Sequence, residues 1–300
     1  MDSFTILVDS NCDLPPEYIK EYGIEVMPMP FELDGVTHSQ GYWQEISAED
    51  YYDALRNGGV AKTSQINQWS LVTAFSEYAA SGRSLLFIVL SGGLSATYQS
   101  AVVALEEVKE TYPGCDIFIV DSITATAGHG LLAVLAAKKR GEGLSAGETA
   151  AWLEEKKHSC IGLFTVDDLM YLHRGGRLSR LSAVAGSLLG IKPILNVAPD
   201  GSLALKDKVR GRKAALRLMV KQLKQSLAPG NDRLDTVMIT HTDCLEDART
   251  LAGMLGEEIS ARRVEIMMMG PVIGAHLGPG AVTLIFEADI TREEYEKRFY

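Results

Sequence analysis

The stretch Leu85–Ala101, LLFIVLSGGLSATYQSA, decides the fold. Leu85 to Leu90 run without a polar residue, the pattern of a strand covered on both faces, as in a parallel sheet. Ser91, Gly92 and Gly93 then turn the chain. From Thr97 the apolar residues recur at helical spacing, which predicts a helix over Thr97–Thr111. Strand, glycine turn and helix in this order form half of a βαβ unit. Backbone N–H groups at a helix start stabilise negative charge. A phosphate, a reacting oxyanion or a carboxylate that stays in place would each suit such a turn.

The same alternation extends outward. Phe4–Val8, Glu25–Phe31 and Asp116–Val120 read as strands. Pro15–Tyr22, Trp69–Ala80 and Thr126–Arg140 read as helices. Ser47-Ala48-Glu49-Asp50 and Ser145-Ala146-Gly147-Glu148 carry helix-start signals with an acidic residue in the first turn. Lys62-Thr63-Ser64-Gln65 lies between two helical segments. These elements predict an α/β domain with a parallel sheet over residues 1–158. The texture then changes. Ile161–Val166, Thr236–Thr242, Val264–Gly270 and Ala281–Ala288 read as strands, with Met267–Met269 as core. Leu178–Leu189, Arg210–Leu227 and Leu245–Ile259 read as helices. Pro193–Val209 reads as a hairpin turning on Pro199-Asp200-Gly201. Hairpin and helices together predict an α+β domain with a mixed or antiparallel sheet over residues 159–300.

Bulk properties exclude several roles. The 300 residues carry a net charge of −10 with no basic cluster, which argues against nucleic-acid and membrane-surface binding. No apolar run reaches the ~18 residues of a spanning helix. The N-terminal MDSFTILVDS lacks the basic and long apolar regions of a signal peptide. Cys12, Cys115, Cys160 and Cys244 are scattered without a CxxC, against a metal knuckle or disulfide framework. A cytoplasmic location and no integral membrane association are expected.

In an open parallel sheet, ligands lie beyond the carboxyl ends of the strands. Three expected strands end in hydroxyl-bearing turns, at Asp9-Ser10, Ser91-Gly92-Gly93 and Asp121-Ser122. Helix capping alone accounts for such residues equally well. The Ser91 turn has neither the lysine of a Walker A loop nor the third glycine of GxGxxG. DSNCDL at Asp9–Leu14 fails as a calcium loop, with Leu14 where glycine is needed and Lys20 where glutamate is needed. No paired histidine spacing predicts a metal. Gly93-Leu94-Ser95-Ala96-Thr97 approaches the GxSxG nucleophile elbow, with Thr97 in place of the second glycine. A serine esterase or thioesterase using Ser95 and His276 therefore stands as an alternative.

Six segments in order resemble the DegV family. They are TSQ at Thr63–Gln65, SGGLSATYQSA at Ser91–Ala101 and VDSITATAGHG at Val120–Gly130, then LMYLHRGGRLS at Leu169–Ser179, IKPIL at Ile191–Leu195 and GAHLGPG at Gly274–Gly280. Two departures stand out. Ile66-Asn67 replace the family's Pro-Ser, and Ala96 replaces its glycine. The resemblance implies a two-domain carrier of one long-chain fatty acid, bound between the domains. Such carriers are not enzymes alone and need neither cofactor nor metal. They present the carboxylate to a separate ATP-dependent fatty acid kinase. The resemblance implies carboxylate contacts at Thr63, Ser95, His276 and Arg210. It places Ser64, Ser91, Gly92, Gly93, Thr97, Asp121 and Gly278 around them. Arg174, Arg177 and Arg180 are candidates for docking the kinase. Asp121 and His129 are expected to hold the turn after their strand. A carrier of another amphipathic lipid is the third reading.

The physics suits a carrier. Each buried methylene contributes about 0.8 kcal/mol. The carboxylate is costly to bury unless hydrogen-bonded, and hydroxyl donors meet that need without a fixed ion pair.

Overall fold

The computed structural model describes residues 4–39, 41, 43–177 and 190–300. The first half runs β1 (Thr5–Asp9), α1 (Pro16–Tyr22), β2 (Ile24–Met27), β3 (Phe31–Leu33), β4 (Val36–His38), α2 (Ala48–Arg56), β5 (Ala61–Thr63) and α3 (Gln68–Ala80). It continues with β6 (Leu85–Val89), α4 (Thr97–Thr111), β7 (Ile117–Asp121), α5 (Ala127–Gly141) and α6 (Ala146–Lys156). The second half runs β8 (Cys160–Thr165), α7 (Met170–Arg174), β9 (Ile191–Val197), β10 (Leu203–Arg210), α8 (Arg212–Gln225) and β11 (Arg233–His241). It ends with α9 (Leu245–Gly256), β12 (Ser260–Met268), α10 (Pro271–Leu277), β13 (Val282–Glu287) and α11 (Arg292–Phe299).

The apolar run of β6 is buried at every residue, because β6 is an inner strand of a parallel sheet ordered β2-β1-β6-β7. A second sheet is ordered β10-β9-β8-β13-β11-β12. Its pairs are antiparallel except β11 with β12, so the sheet is mixed. The chain is therefore α/β with a parallel sheet, followed by α+β with a mixed sheet. The β9–β10 hairpin turns on Pro199-Asp200-Gly201, where Gly201 has φ +78°.

Two local expectations need correction, at Glu25–Phe31 and at Arg210. Glu25–Phe31 is not one strand. Pro28 and Pro30 remove two ladder donors, so β2 ends at Met27 and Phe31 opens a separate antiparallel sheet ordered β4-β3-β5. That sheet, turned at Asp34-Gly35, places Thr63 on an edge strand. In the GAHLGPG segment a helix was not anticipated: α10 starts with Pro271 in its first turn and carries His276 in its last. Arg210 ends β10 rather than opening α8, since Gly211 at φ +90° separates the two. The expected helix Leu178–Leu189 falls outside the described residues.

The two sheets share one apolar core. Leu131 and Val134 of α5 pack in the same cluster as Ile6 and Ile88 of the first sheet and Met238 and Ile285 of the second. Backbone contacts add to it. Ser91, fully buried, donates its hydroxyl to the Gly201 carbonyl at 2.8 Å. A methyl at Gly93 would lie 2.4 Å from the Gly201 carbonyl carbon, so only glycine permits this approach. Arg292 of α11 is 2% exposed and faces carbonyls rather than a carboxylate. It donates to Cys160 O at 2.7 Å, to Val197 O at 3.2 Å and to Ile123 O. Burial pulls its guanidinium down to about 10.

Gly93→Ala should destabilise the fold by about 1–3 kcal/mol, the usual cost of overpacking. Gly114→Ala, where the added methyl meets nothing within 4 Å, should change stability by less than about 0.5 kcal/mol. Denaturant melts of the two variants check this; equal behaviour would remove the turn–hairpin contact as a constraint.

Candidate functional site

Between the carboxyl end of β6 and the face of the second sheet lies a cavity of about 320 Å³. This volume falls within the ~300–1,000 Å³ of small-molecule sites. Leu90, Leu94, Phe164, Leu172, Val197 and Ile285 give much of it apolar walls. Thr63, Ser95, Arg177 and His276 supply polar groups to the same cavity.

Thr63 is the last residue of β5 and His276 lies in the last turn of α10. Thr63 Oγ1 and His276 Nε2 are 2.8 Å apart. The other ring nitrogen, Nδ1, is buried with no hydrogen-bond partner among the described residues. It abuts the backbone at Gly175, where a methyl would lie 2.1 Å from Nδ1. Burial, helped by the charge of Arg177, pulls the imidazole down to about 4, so the ring is neutral at pH 7. A buried N–H without an acceptor costs more than a bare lone pair, which assigns the proton to Nε2. His276 then donates to Thr63, and the Thr63 hydroxyl hydrogen is free to turn toward the cavity.

Ser95 sits in the turn before α4. Its Oγ is 2.9 Å from Thr97 Oγ1 and accepts the Thr97 N–H at 3.3 Å. Thr97 Oγ1 also accepts the Ile66 N–H at 3.3 Å, which ties the turn to the segment after β5. Ser64 and Ala96 line the cavity as well. Ala96 has φ −74°, a conformation open to any L-residue, so its methyl brings no strain. Asn67 caps α3 by accepting the Ser70 N–H at 2.9 Å, a task serine performs equally well.

The expected set is only partly brought together. Ser91, Gly92 and Gly93 do not line the cavity, and their N–H groups are taken. Gly92 N–H donates to Asp121 at 3.1 Å, and Gly93 N–H to Ser91 Oγ at 3.2 Å. Asp121 also accepts the Ile123 N–H at 2.8 Å, so it holds the turn after β7. His129 is fully buried with Nε2 2.7 Å from Ile88 O. Gly278, at φ +67°, packs against Tyr171 rather than the cavity.

The arginines exchange places. Arg210 is exposed at the end of β10 and does not line the cavity. Arg177, read from sequence as a docking residue, turns inward. Its Nε donates to Leu94 O at 3.1 Å and its Nη1 to Gly175 O at 2.6 Å. Arg174 stays exposed over the Tyr171 ring. Arg180 lies outside the described residues.

Sequence reading missed Thr124, Thr126 and Thr283, which also line the cavity. The hydroxyls of Thr124-Ala125-Thr126, just past the end of β7, were the available signal. Thr126 has φ +52°, an uncommon backbone for a β-branched residue. It is held by a hydrogen bond to Asp13 Oδ2 at 2.5 Å and a contact with Thr240 Oγ1 at 3.0 Å. Burial pushes the Asp13 carboxyl up to about 7, although its hydrogen bonds from Thr126 and Gly270 pull it the other way.

Among the described residues, no serine–histidine–carboxylate relay is assembled at His276. His276 Nε2 faces Thr63, Ser95 faces Thr97, and no carboxylate orients Nδ1. Among the described residues, no group of three or more His, Cys, Asp or Glu could hold a metal, and no helix is long and apolar enough to cross a membrane.

The family model described as an uncharacterised protein of the DegV family matches residues 3–289. The chain belongs to the DegV family. A DegV domain-containing protein of Clostridium perfringens is 39% identical over 289 residues, covering 96% of this chain and 99% of the relative. Among solved structures, a Thermotoga maritima protein described as revealing a fatty acid binding function has a TM-score of 0.83 at 28% identity. It covers 96% of this chain and 100% of its own. A Thermus thermophilus family member described by its fatty acid binding has a TM-score of 0.83 at 27% identity, covering 95% and 99%.

The His276 ring resonances should stay those of a neutral imidazole from about pH 8 down to about pH 5. The unfolded chain takes up a proton near pH 6.5 and the folded chain only near 4, so this group's contribution falls as pH drops through that window. His276→Gln should therefore lose less stability than the parent between those values, by up to about 3 kcal/mol. A parallel pH–stability curve would remove the depressed ring.

Proposed function

We propose that this protein carries one long-chain fatty acid, with the acyl chain in the cavity between the two sheets and the carboxylate at Thr63, Ser95 and Arg177. The observation that carries this reading is a largely apolar cavity whose polar groups include the Thr63 and Ser95 hydroxyls, a neutral histidine and an inward-turned arginine. Acyl burial supplies about 0.8 kcal/mol per methylene, and the polar groups meet the desolvation cost of the charge. Arg177 gives the charge-assisted contact and Thr63, oriented by His276, a directed one. The family membership and the fatty-acid-binding descriptions of the two structural relatives support the ligand class.

In this reading residues 1–158 and 159–300 are two units, each supplying part of the cavity wall. The carrier works in the cytosol and performs no chemistry alone. A separate ATP-dependent kinase brings the reaction, in which a carboxylate oxygen attacks the γ-phosphorus of ATP and ADP leaves. The exposed Arg174 belongs to the surface offered to that kinase.

Denaturing mass spectrometry of the purified protein should release one fatty acid per chain. Release of none, even after incubation with oleate or palmitate, would overturn the reading; release of a different amphipathic lipid would replace it. Arg177→Ala and Thr63→Ala should each weaken palmitate binding about tenfold or more, as loss of a hydrogen bond to a charged group does. Turnover of short esters abolished by Ser95→Ala would instead favour the hydrolase.

A further inference from the structure

One cavity-lining position lacks a side chain for no reason the protein itself supplies. Gly162 lies in the middle of β8, where glycine costs stability relative to alanine. Its backbone has no left-handed φ that would require glycine. Packing does not require it either. A Cβ built at Gly162 meets a single heavy atom within 4 Å, Ile285 Cγ1 at an ordinary 3.7 Å. Gly162 is also the one residue of β8 that is not buried.

The sheet register shows where the missing side chain would point. Gly162 pairs with Ile285 across β8 and β13, and Phe164 pairs with Thr283. All four line the cavity, so this face of both strands is the cavity wall. One step beyond the Leu163–Asn196 pair, Val197 of β9 lies beside Gly162, and Leu203 of β10 pairs with Val197. Leu203, Val197, Gly162 and Ile285 thus form a row across four strands, with a notch at Gly162.

The notch is remote from the carboxylate groups. Arg177 follows the carboxyl end of β8, and His276 precedes the amino end of β13, which lies beside it. Gly162 stands three residues back from Thr165, about 10 Å down the strand.

We propose that the notch at Gly162 receives the distal part of the acyl chain and sets the longest acid the carrier accepts. The inference rests on the fatty acid reading above and names a determinant of length within it. A side chain at 162 occupies the notch and excludes the terminal methylenes while leaving the carboxylate contacts untouched.

The test compares laurate, palmitate and stearate binding to the parent, Gly162→Ala and Gly162→Leu, with thermal melts of the lipid-free proteins. Gly162→Leu should hold laurate within about twofold of the parent and weaken stearate about tenfold or more, the worth of two or more excluded methylenes. Gly162→Ala should shift the stearate-to-laurate ratio in the same direction without lowering the melting temperature. It decides the matter if the leucine variant does not fold. An unchanged ratio, or equal weakening of all three acids, overturns the inference and leaves the carrier reading standing. Failure of the parent to bind any of the three overturns both.

Discussion

Backbone meets backbone where the turn after β6 touches the β9–β10 hairpin. Gly93 abuts Gly201, and Ser91 donates into the Gly201 carbonyl. A side chain at either glycine would push the hairpin from the turn, and both walls of the cavity are anchored there. Leu94 and Ser95 follow the turn on one side, Val197 and Leu203 flank the hairpin on the other, and all four line the cavity. The turn first suggests an anion cradle. Its amide groups instead serve Asp121 and Ser91, and the turn's task is to hold two sheets at a fixed separation. Arg292 works to the same end by binding carbonyls of β8, β9 and the segment after β7 with one buried cation.

Much of the architecture was legible because its signals are local. β6 is apolar on both faces, the Thr97 helix has helical spacing, and Pro199-Asp200-Gly201 dictates a hairpin. The small sheet β4-β3-β5 was missed although Asp34-Gly35 between Leu33 and Val36 is a hairpin signal. Its strands are three residues each, too short for a period-2 pattern to stand out. α10 was missed because a seven-residue helix bearing an internal glycine carries too little periodicity, even with Pro271 in its first turn. Helix α11 was not anticipated, although Thr291 and Glu294 form a capping box.

The candidate site was legible in part. Thr63, Ser95 and His276 do share one cavity. Arg177 was assigned to the surface because a group of three arginines spaced by three normally lies in solvent; its inward position is held by the carbonyls of Leu94 and Gly175, which sequence does not reveal. Arg210 was placed near the site by the family resemblance alone, and it stands exposed at the end of β10, away from the cavity. Thr283 could not be told from core, since one strand face lines the cavity while the other packs on helices. Gly162 left no trace either, because a glycine in a strand shows in sequence as a weakness rather than as space.

A neutral histidine behind a threonine has a further consequence. Arginine keeps its charge across the biological range and hydroxyls do not titrate there. His276 gains its proton only near pH 4. Thr63, Ser95, Arg177 and His276 therefore keep one charge state from about pH 8 down to about pH 5. Mild acidification cannot discharge an anion held there by changing its partners. On the fatty acid reading, any release that leaves the ligand ionised would come from a change of geometry, with the walls parting or another protein drawing the anion away.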